Sequence, residues 1–423
     1  MPVRSLAVIS LHTSPLSQPG VGDGGGMNIY VRSLASALAR AGVACDVYTR
    51  AEHPGQPRVV TVEPNFRVIH VPAGPLAPVP KECLPGLVDE FTESMLGQIR
   101  GCRRDYEVLH ANYWLSGQVA HRLKHELSLP MVATFHTLAL VKRAGLPRGL
   151  GDVARTTAAE AAMVSDEVPG RVRGETDIIR CADLILASTG EEAGLLDSLY
   201  GADPGRIEVL PPGVDHRLFS PGHQAAARAR LGHPGRRVLL FVGRIQPLKG
   251  LDLVVQALSE IDDAVLWAVG GPSGTEGPAE LERVQKLAAD LGVAERLLIL
   301  PPRPHHELVD YYRAADVCLV PCRTESFGLV ALEAAACGTP VVAASVGGLR
   351  SIVSDGETGL LVEGRDPLEW ATAVALLLDD RDLASAMGAQ ASAGSGRWSW
   401  CMTAARLRRL CSDLVERTPV TCS

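Results

Sequence analysis

Glu325 and Glu333 stand eight positions apart in the run Glu325-Ser326-Phe327-Gly328-Leu329-Val330-Ala331-Leu332-Glu333. An ionised carboxylate only accepts hydrogen bonds, so two acids at this spacing suit the reading of hydroxyls, one on a hexose and one on a ribose. The apolar run Val317 to Pro321 reads as a buried strand and Gly328 to Cys337 as the helix after it, which puts Glu325 in the turn between them. The backbone N–H groups of Ser326 to Leu329 then lack intrahelical partners and favour an anion in the crevice. Hydroxyls and phosphate together describe a nucleotide sugar. Taken alone, such a pair more often caps a helix and decorates its solvated face; the surrounding residues decide against that.

Arg244 and Lys249 stand five positions apart in the loop after a second-half strand, within Phe241-Val242-Gly243-Arg244-Ile245-Gln246-Pro247-Leu248-Lys249-Gly250. A leaving diphosphate gathers charge as its glycosidic bond breaks, and a guanidinium fork with an ammonium would neutralise it. His136 and Thr137 end the strand Met131 to His136, at the carboxyl edge where open α/β sheets bind ligands, and Tyr113 ends the neighbouring one. A lone histidine is more often structural and a lone tyrosine packs as often as it binds; their shared edge favours ligand contact.

The loop Gly20-Val21-Gly22-Asp23-Gly24-Gly25-Gly26-Met27-Asn28 opens the first long helix. Gly20, Gly22 and Gly25 fit G-x-G-x-x-G, which would make the chain an NADP-linked oxidoreductase with Arg50 at the phosphate. A dinucleotide turn follows its strand almost directly and an acid ends the next strand, whereas about eight residues intervene here and the second strand ends Tyr48-Thr49-Arg50. The loop reads instead as a lip over a cleft. A nonenzymatic sugar-nucleotide sensor is the other rival. No G-x-S-x-G, Walker lysine, H-E-x-x-H or Asp-x-Asp motif occurs.

The elements that must position these groups alternate. Strand-like runs at Leu6 to Leu11, Val43 to Thr49, Phe66 to Val71, Val108 to Ala111, Met131 to His136 and Leu184 to Ser188 are interleaved with helices at Met27 to Arg40 and Gly117 to Leu127. The pattern restarts at Val238 to Gly243, Val265 to Gly270, Leu297 to Leu300, Val317 to Val320, Val341 to Ala344 and Gly359 to Val362, with helices at Leu251 to Leu258, Pro278 to Leu291, His306 to Ala314 and Leu329 to Ala336. Two doubly wound α/β domains facing a cleft are expected, spanning 1–213 and 214–397, joined at Leu210 to Asp215 and followed by a helix over Trp398 to Leu414 with Leu407, Leu410, Leu414 and Val415 on one side. Arg143 to Gly174 reads as an excursion.

With 46% apolar and 21% charged residues, the 423-residue chain is globular, and its formal charge of −7 argues against nucleic acid or an anionic membrane as partner. The ten cysteines, Cys181 and Cys318 among them, read as buried thiols of a reducing compartment with no zinc site. Neither a signal peptide nor a spanning segment is evident, so a cytoplasmic protein is expected.

The chain resembles the retaining GT-B glycosyltransferases of family 4, in the branch serving mycothiol synthesis. The likeness runs nearly end to end, through His12-Thr13-Ser14-Pro15-Leu16, Gly25-Gly26-Met27-Asn28-Ile29-Tyr30-Val31, Tyr113-Trp114-Leu115-Ser116-Gly117, Phe135-His136-Thr137-Leu138-Ala139, Gly270-Gly271-Pro272-Ser273-Gly274 and Glu325-Ser326-Phe327-Gly328-Leu329-Val330. It implies transfer of N-acetylglucosamine from UDP to inositol 3-phosphate; the alternative keeps the fold but uses another nucleotide sugar, GDP-linked for instance, and another cyclitol, thiol or aminosugar. By that likeness His136, Arg244, Lys249 and Glu325 carry catalysis. Gly26, Arg303, Ser326, Phe327, Gly328, Leu329 and Glu333 join them at the donor, with Glu333 at the ribose. Lys81, Tyr113, Thr137 and Arg171 bind the acceptor phosphate, and His12 with Asp23 to Asn28 lines the inositol pocket. No protein nucleophile and no catalytic cofactor is implied, and a structural magnesium near Tyr312, Arg313, Ala315 and Thr339 accompanies the family. The last helix, residues 398–423, should cross back to the first domain; related enzymes are often homodimers. Two departures bear on the acceptor: an insert running to Gly170, which makes Arg173 a rival of Arg171, and Thr324 where Asn is common.

Overall fold

The computed structural model describes residues 2–102, 104–144, 170–232, 236–274 and 276–421, with backbone alone at 142–144. The insert between Arg143 and Gly170 therefore lies almost wholly outside the described residues.

The first sheet holds β1 (Ser5–Ile9), β2 (Ala44–Arg50), β3 (Val59–Glu63), β4 (Phe66–Val71), β5 (Val108–Asn112), β6 (Met131–Thr134), β7 (Leu184–Ala187) and β8 (Ile207–Val209), in the order β3-β4-β2-β1-β5-β6-β7-β8. All neighbours are parallel except β3, which turns back on β4. The second holds β9 (Arg237–Val242), β10 (Ala264–Val269), β11 (Leu297–Leu300), β12 (Val317–Val320), β13 (Val341–Ala344) and β14 (Gly359–Val362), in the order β11-β10-β9-β12-β13-β14. Helices cover both faces, so the central strands β5, β6, β10 and β12 are buried throughout, as the continuous apolar runs of β10 and β12 require. The expected α/β architecture of two doubly wound sheets is present.

Strand order reverses between β1 and β5 in one sheet and between β9 and β12 in the other. The loops leaving those four strands open the crevices where such sheets take ligands, and they contain Gly20 to Gly26, Tyr113, Arg244 to Lys249 and Glu325 to Gly328 respectively.

The helix Trp400–Val415 packs on Gly26–Arg40 of the first lobe, burying Trp400, Thr403, Ala404, Leu407, Cys411 and Leu414 at helical spacing. Ser399 caps it through a bond from the Met402 amide at 3.3 Å. Val415, expected on the packed side, is 39% exposed, because the buried stripe runs through Trp400, Ala404 and Cys411 instead. The Val3 amide donates to Ser412 Oγ at 2.9 Å, tying the two ends of the chain to one lobe.

The cysteines correct the sequence reading at several positions: Cys83 and Cys401 are exposed and Cys102 is only partly buried. Cys45, Cys318, Cys322, Cys337 and Cys411 are buried thiols, but Cys181 is disulfide-bonded. Its sulfur lies close to His121 and His125, yet a disulfide offers a metal no thiolate. No described helix is long and apolar enough to cross a membrane.

Candidate functional site

A cavity of about 610 Å³ lies between the lobes, a size suited to a small organic ligand. Its second-lobe wall is built by close backbone approaches. A Cβ on Gly250 would stand 2.3 Å from the Pro321 carbonyl, so only glycine, here at φ +72°, lets the turn Pro247–Lys249 close on the end of β12. That closure brings Lys249 Nζ to 2.8 Å from Glu325 Oε2. Each side chain keeps about a fifth of its surface exposed, at 23% and 20%. Burial alone would raise the Glu325 carboxyl, but the Lys249 charge and hydrogen bond, with the Cys322 thiol and Phe327 amide, hold it below its ordinary value. Burial opposes the Lys249 ammonium, and Cys322 and Glu325 outweigh it. The two groups expected to meet different parts of a donor are thus each other's partners.

The Glu325 turn depends on a glycine pair that sequence reading missed. Gly348 N–H donates to the Glu325 carbonyl at 2.9 Å, and a Cβ on Gly347 would lie 2.1 Å from that oxygen. Gly328, at φ +102°, starts the helix Leu329–Ala336, where a Cβ would strike Leu349 at 2.6 Å. Phe327 and Leu329 line the cavity beside it.

Glu333 also lines the cavity, with 4% of its side chain exposed. Its two oxygens take His305 Nε2 at 2.6 Å and the Tyr312 hydroxyl at 2.8 Å. Burial works against a charged His305, but the Glu333 carboxylate lifts that ring's pKa above its usual value. His305 was absent from the sequence reading; its only signal was the pair His305-His306 leading into a helix. Arg303 lines the same wall with its Nε buried and unpartnered. Arg244 reaches under the glycine loop, where a Cβ on Gly25 would sit 3.5 Å from its Nε, and one on Gly26 the same 3.5 Å from Leu329.

The first-lobe wall is strained. Tyr113 and His136 adopt φ +76° and +62°, left-handed values that cost side-chain-bearing residues roughly 1–3 kcal/mol each and persist only where surroundings enforce them. His136 shares a hydrogen bond of 3.0 Å with Asn112 Oδ1, meets the Tyr30 ring edge-on at 4.8 Å, and its carbonyl accepts from Ser326 Oγ of the other lobe at 2.5 Å. Burial, then His110 and His12, drives its pKa down to about 3. His12 tilts against Tyr113 at 4.5 Å and is likewise lowered to about 3, by burial first and then by Lys81, Arg244 and Arg171. Both rings are neutral near pH 7, and His12 Nδ1 is buried with no hydrogen-bond partner.

Lys81, Asp23 and Thr137 line the cavity, whereas Arg171 stands behind it with 2% exposure. Its guanidinium donates to the Thr137 carbonyl and Oγ1 at 2.8 and 3.0 Å and lies over the Tyr113 ring at 5.0 Å. Arg173 is exposed and, like Arg171, does not line the cavity. Asn28 departs from expectation. It is 2% exposed and its amide is taken up by Thr13 Oγ1, the Ser14 carbonyl and the Gly25 amide at 2.7, 2.6 and 2.8 Å, so it fixes the glycine loop and does not face the cavity.

That loop bridges the lobes: Ser273 Oγ donates to the Gly22 carbonyl at 2.5 Å, and Gln18 Nε2 to the Pro302 carbonyl at 3.0 Å. Arg50 donates to the carbonyls of Pro75 and Ala77 at 2.9 and 2.8 Å, shaping the segment that leads to Lys81. Neither feature serves a dinucleotide. Of the four residues associated with a structural magnesium, the Tyr312 carbonyl already accepts from Thr339 Oγ1 at 2.7 Å and that of Ala315 from Gln224 Nε2 at 2.9 Å. Uncharged carbonyls already hydrogen-bonded to side chains are a poor donor set for a cation that prefers carboxylates.

Residues 25–213 match the glycosyl transferase 4-like domain, and residues 223–393 match the glycosyl transferases group 1. The D-inositol 3-phosphate glycosyltransferase of Xylanimonas cellulosilytica is 45% identical over 98% of this chain and 98% of its own length. That of Geodermatophilus obscurus is 48% identical over 93% of this chain and 86% of its own. Among solved structures, sucrose-phosphate synthase from Thermosynechococcus elongatus superposes with a TM-score of 0.88 at 33% identity, over 97% of this chain and 99% of that one. A two-sheet cleft, an ion-paired Glu325 turn and this end-to-end likeness agree: the chain belongs to the GT-B glycosyltransferases of family 4, alongside the members named D-inositol 3-phosphate glycosyltransferase.

Proposed function

We propose that this chain moves N-acetylglucosamine from UDP-N-acetylglucosamine to D-inositol 3-phosphate with retention at the anomeric carbon. The observation that carries this reading is the two-sided cleft, with Arg244, Lys249 and Glu325 on one wall and His12, Lys81, Tyr113 and Thr137 on the other. The diphosphate lies against Arg244, Lys249 and the amides of the Ser326 to Leu329 turn, which meet charge as it grows on the leaving oxygen. Glu325 and Glu333 accept from hydroxyls of the hexose and the ribose. The acceptor oxygen bonds to the anomeric carbon on the face the diphosphate leaves, and its proton passes to the departing phosphate oxygen.

No protein base is needed, and the chemistry of His136 agrees: a ring titrating at about 3 is a weak base near neutrality but remains a good hydrogen-bonding group for the donor sugar. Lys81 and Thr137, backed by Arg171, meet the acceptor phosphate. Purified protein given both substrates should release UDP only when the acceptor is present and yield a product of the summed mass with the donor's anomeric configuration. Absence of UDP release overturns the assignment; turnover with a GDP-linked donor or a different acceptor replaces it.

A further inference from the structure

Glu175 is fully buried, one helical turn after Arg171 in the helix Arg171–Cys181, and does not line the cavity. Its Oε1 accepts from Arg171 Nε at 2.7 Å, and its Oε2 accepts from the Ala139 amide at 3.0 Å and from the Tyr200 hydroxyl. The Tyr200 oxygen accepts in turn from the Leu140 amide at 3.0 Å. Three segments meet on this one carboxylate: the helix of Arg171, the turn after β6 that presents Thr137, and the helix Gly190–Tyr200.

We propose that Glu175 is the positioning residue of the acceptor site, fixing both Arg171 and Thr137 in the orientation that receives an anionic group; this rests on the acceptor reading given above. A guanidinium is planar, so pinning Nε sets the direction of both terminal nitrogens. With Nε held, one terminal nitrogen reaches Thr137 and the plane covers the Tyr113 ring. The Ala139 bond holds the other side of the same turn, so Thr137 sits between two contacts that share one carboxylate. Because Glu175 also offsets the Arg171 charge, its contribution is geometric, and the attraction for an anion falls chiefly to Lys81.

The test is steady-state kinetics on the whole chain with UDP-N-acetylglucosamine and inositol 3-phosphate. Glu175→Gln turns one acceptor atom into a donor that faces Arg171 or the Ala139 amide. The KM for inositol 3-phosphate should rise roughly tenfold, the loss expected for one charge-assisted bond, while the KM for the donor stays within about twofold. A role confined to folding would lower the active fraction and leave both KM values in place. Arg171→Met should raise the acceptor KM at least as far. If it does and Glu175→Gln does not, the positioning role is overturned; if neither Arg171→Met nor Lys81→Met raises that KM, the acceptor reading itself falls. Should Glu175→Gln not fold, Tyr200→Phe decides: a rise of about two- to threefold supports the proposal, and no change overturns it.

Discussion

Replacing Lys249 with methionine keeps an unbranched apolar stem, one atom shorter, and removes the charge, leaving Glu325 without the ammonium that stands 2.8 Å away. Two effects follow and can be separated. The first is on stability: the Glu325 carboxyl, only 20% exposed, loses the partner that holds its pKa down, and an unpaired charge at such a site costs about 1–3 kcal/mol. The second is on the chemical step: removing one preorganised donor aimed at developing charge typically costs about 10²–10³ in kcat. Glu325→Gln added to Lys249→Met removes the stranded charge, so the double variant should regain most of the lost stability and none of the lost rate. Urea denaturation reads the first effect, and continuous release of the donor's nucleoside diphosphate at saturating substrates reads the second. A kcat for Lys249→Met within about threefold of the parent would refute the electrostatic role. A double variant no more stable than the single one would show that the pair does not hold the turn.

Other predictions follow from single contacts. Burial raises the Glu192 pKa to about 7. A carboxyl raised above its unfolded value near 4.3 makes stability fall as pH climbs through that window, so Glu192→Gln, which retains an oxygen for the Ser188 amide, should raise the melting temperature at pH 8 and hardly alter it at pH 4; an equal gain at both values would contradict the titration. Gly347→Ala, at φ +47° and 2.1 Å from the Glu325 carbonyl, should displace that turn and lower kcat about tenfold or more with the fold intact by circular dichroism; full activity would refute the constraint. Asn28→Ala removes the bonds to Thr13, Ser14 and Gly25 and should cost about 1–3 kcal/mol while exposing the Gly20 to Gly26 loop to proteolysis; unchanged cleavage kinetics would mean that the loop is held elsewhere.

Much of the scaffold was legible because the parallel strands of the second sheet are unbroken apolar runs: β11, β12, β13 and β14 begin and end where the sequence reading puts them, although β11 and β14, at the sheet edges, are only partly buried. The half-exposed edge strand β3 was missed, although Pro64-Asn65, with Asn65 at φ +66°, marks the turn that folds it back on β4. The three-residue β8 was too short to stand out. At the site, residue types announced the chemistry but not the pairings. Lys249 and Glu325 were each visible, yet that they neutralise one another depends on Gly250 and Gly347, whose need appears only when two backbones approach. Asn28 misled for the opposite reason, since an amide beside a glycine-rich loop looks like a ligand until its partners at Thr13 and Ser14 come into view.

The placement of the helix Trp400–Val415 bears on biosynthesis. Its apolar stripe completes the hydrophobic layer around Tyr30, Leu34 and Leu38, so the first lobe lacks a structural layer until residues 400–415 are translated, after the second sheet has all of its strands. A ribosome-bound chain therefore carries an uncovered oily surface until that helix emerges, and termination between the second sheet and the helix leaves a complete second lobe attached to a first lobe with an exposed apolar face.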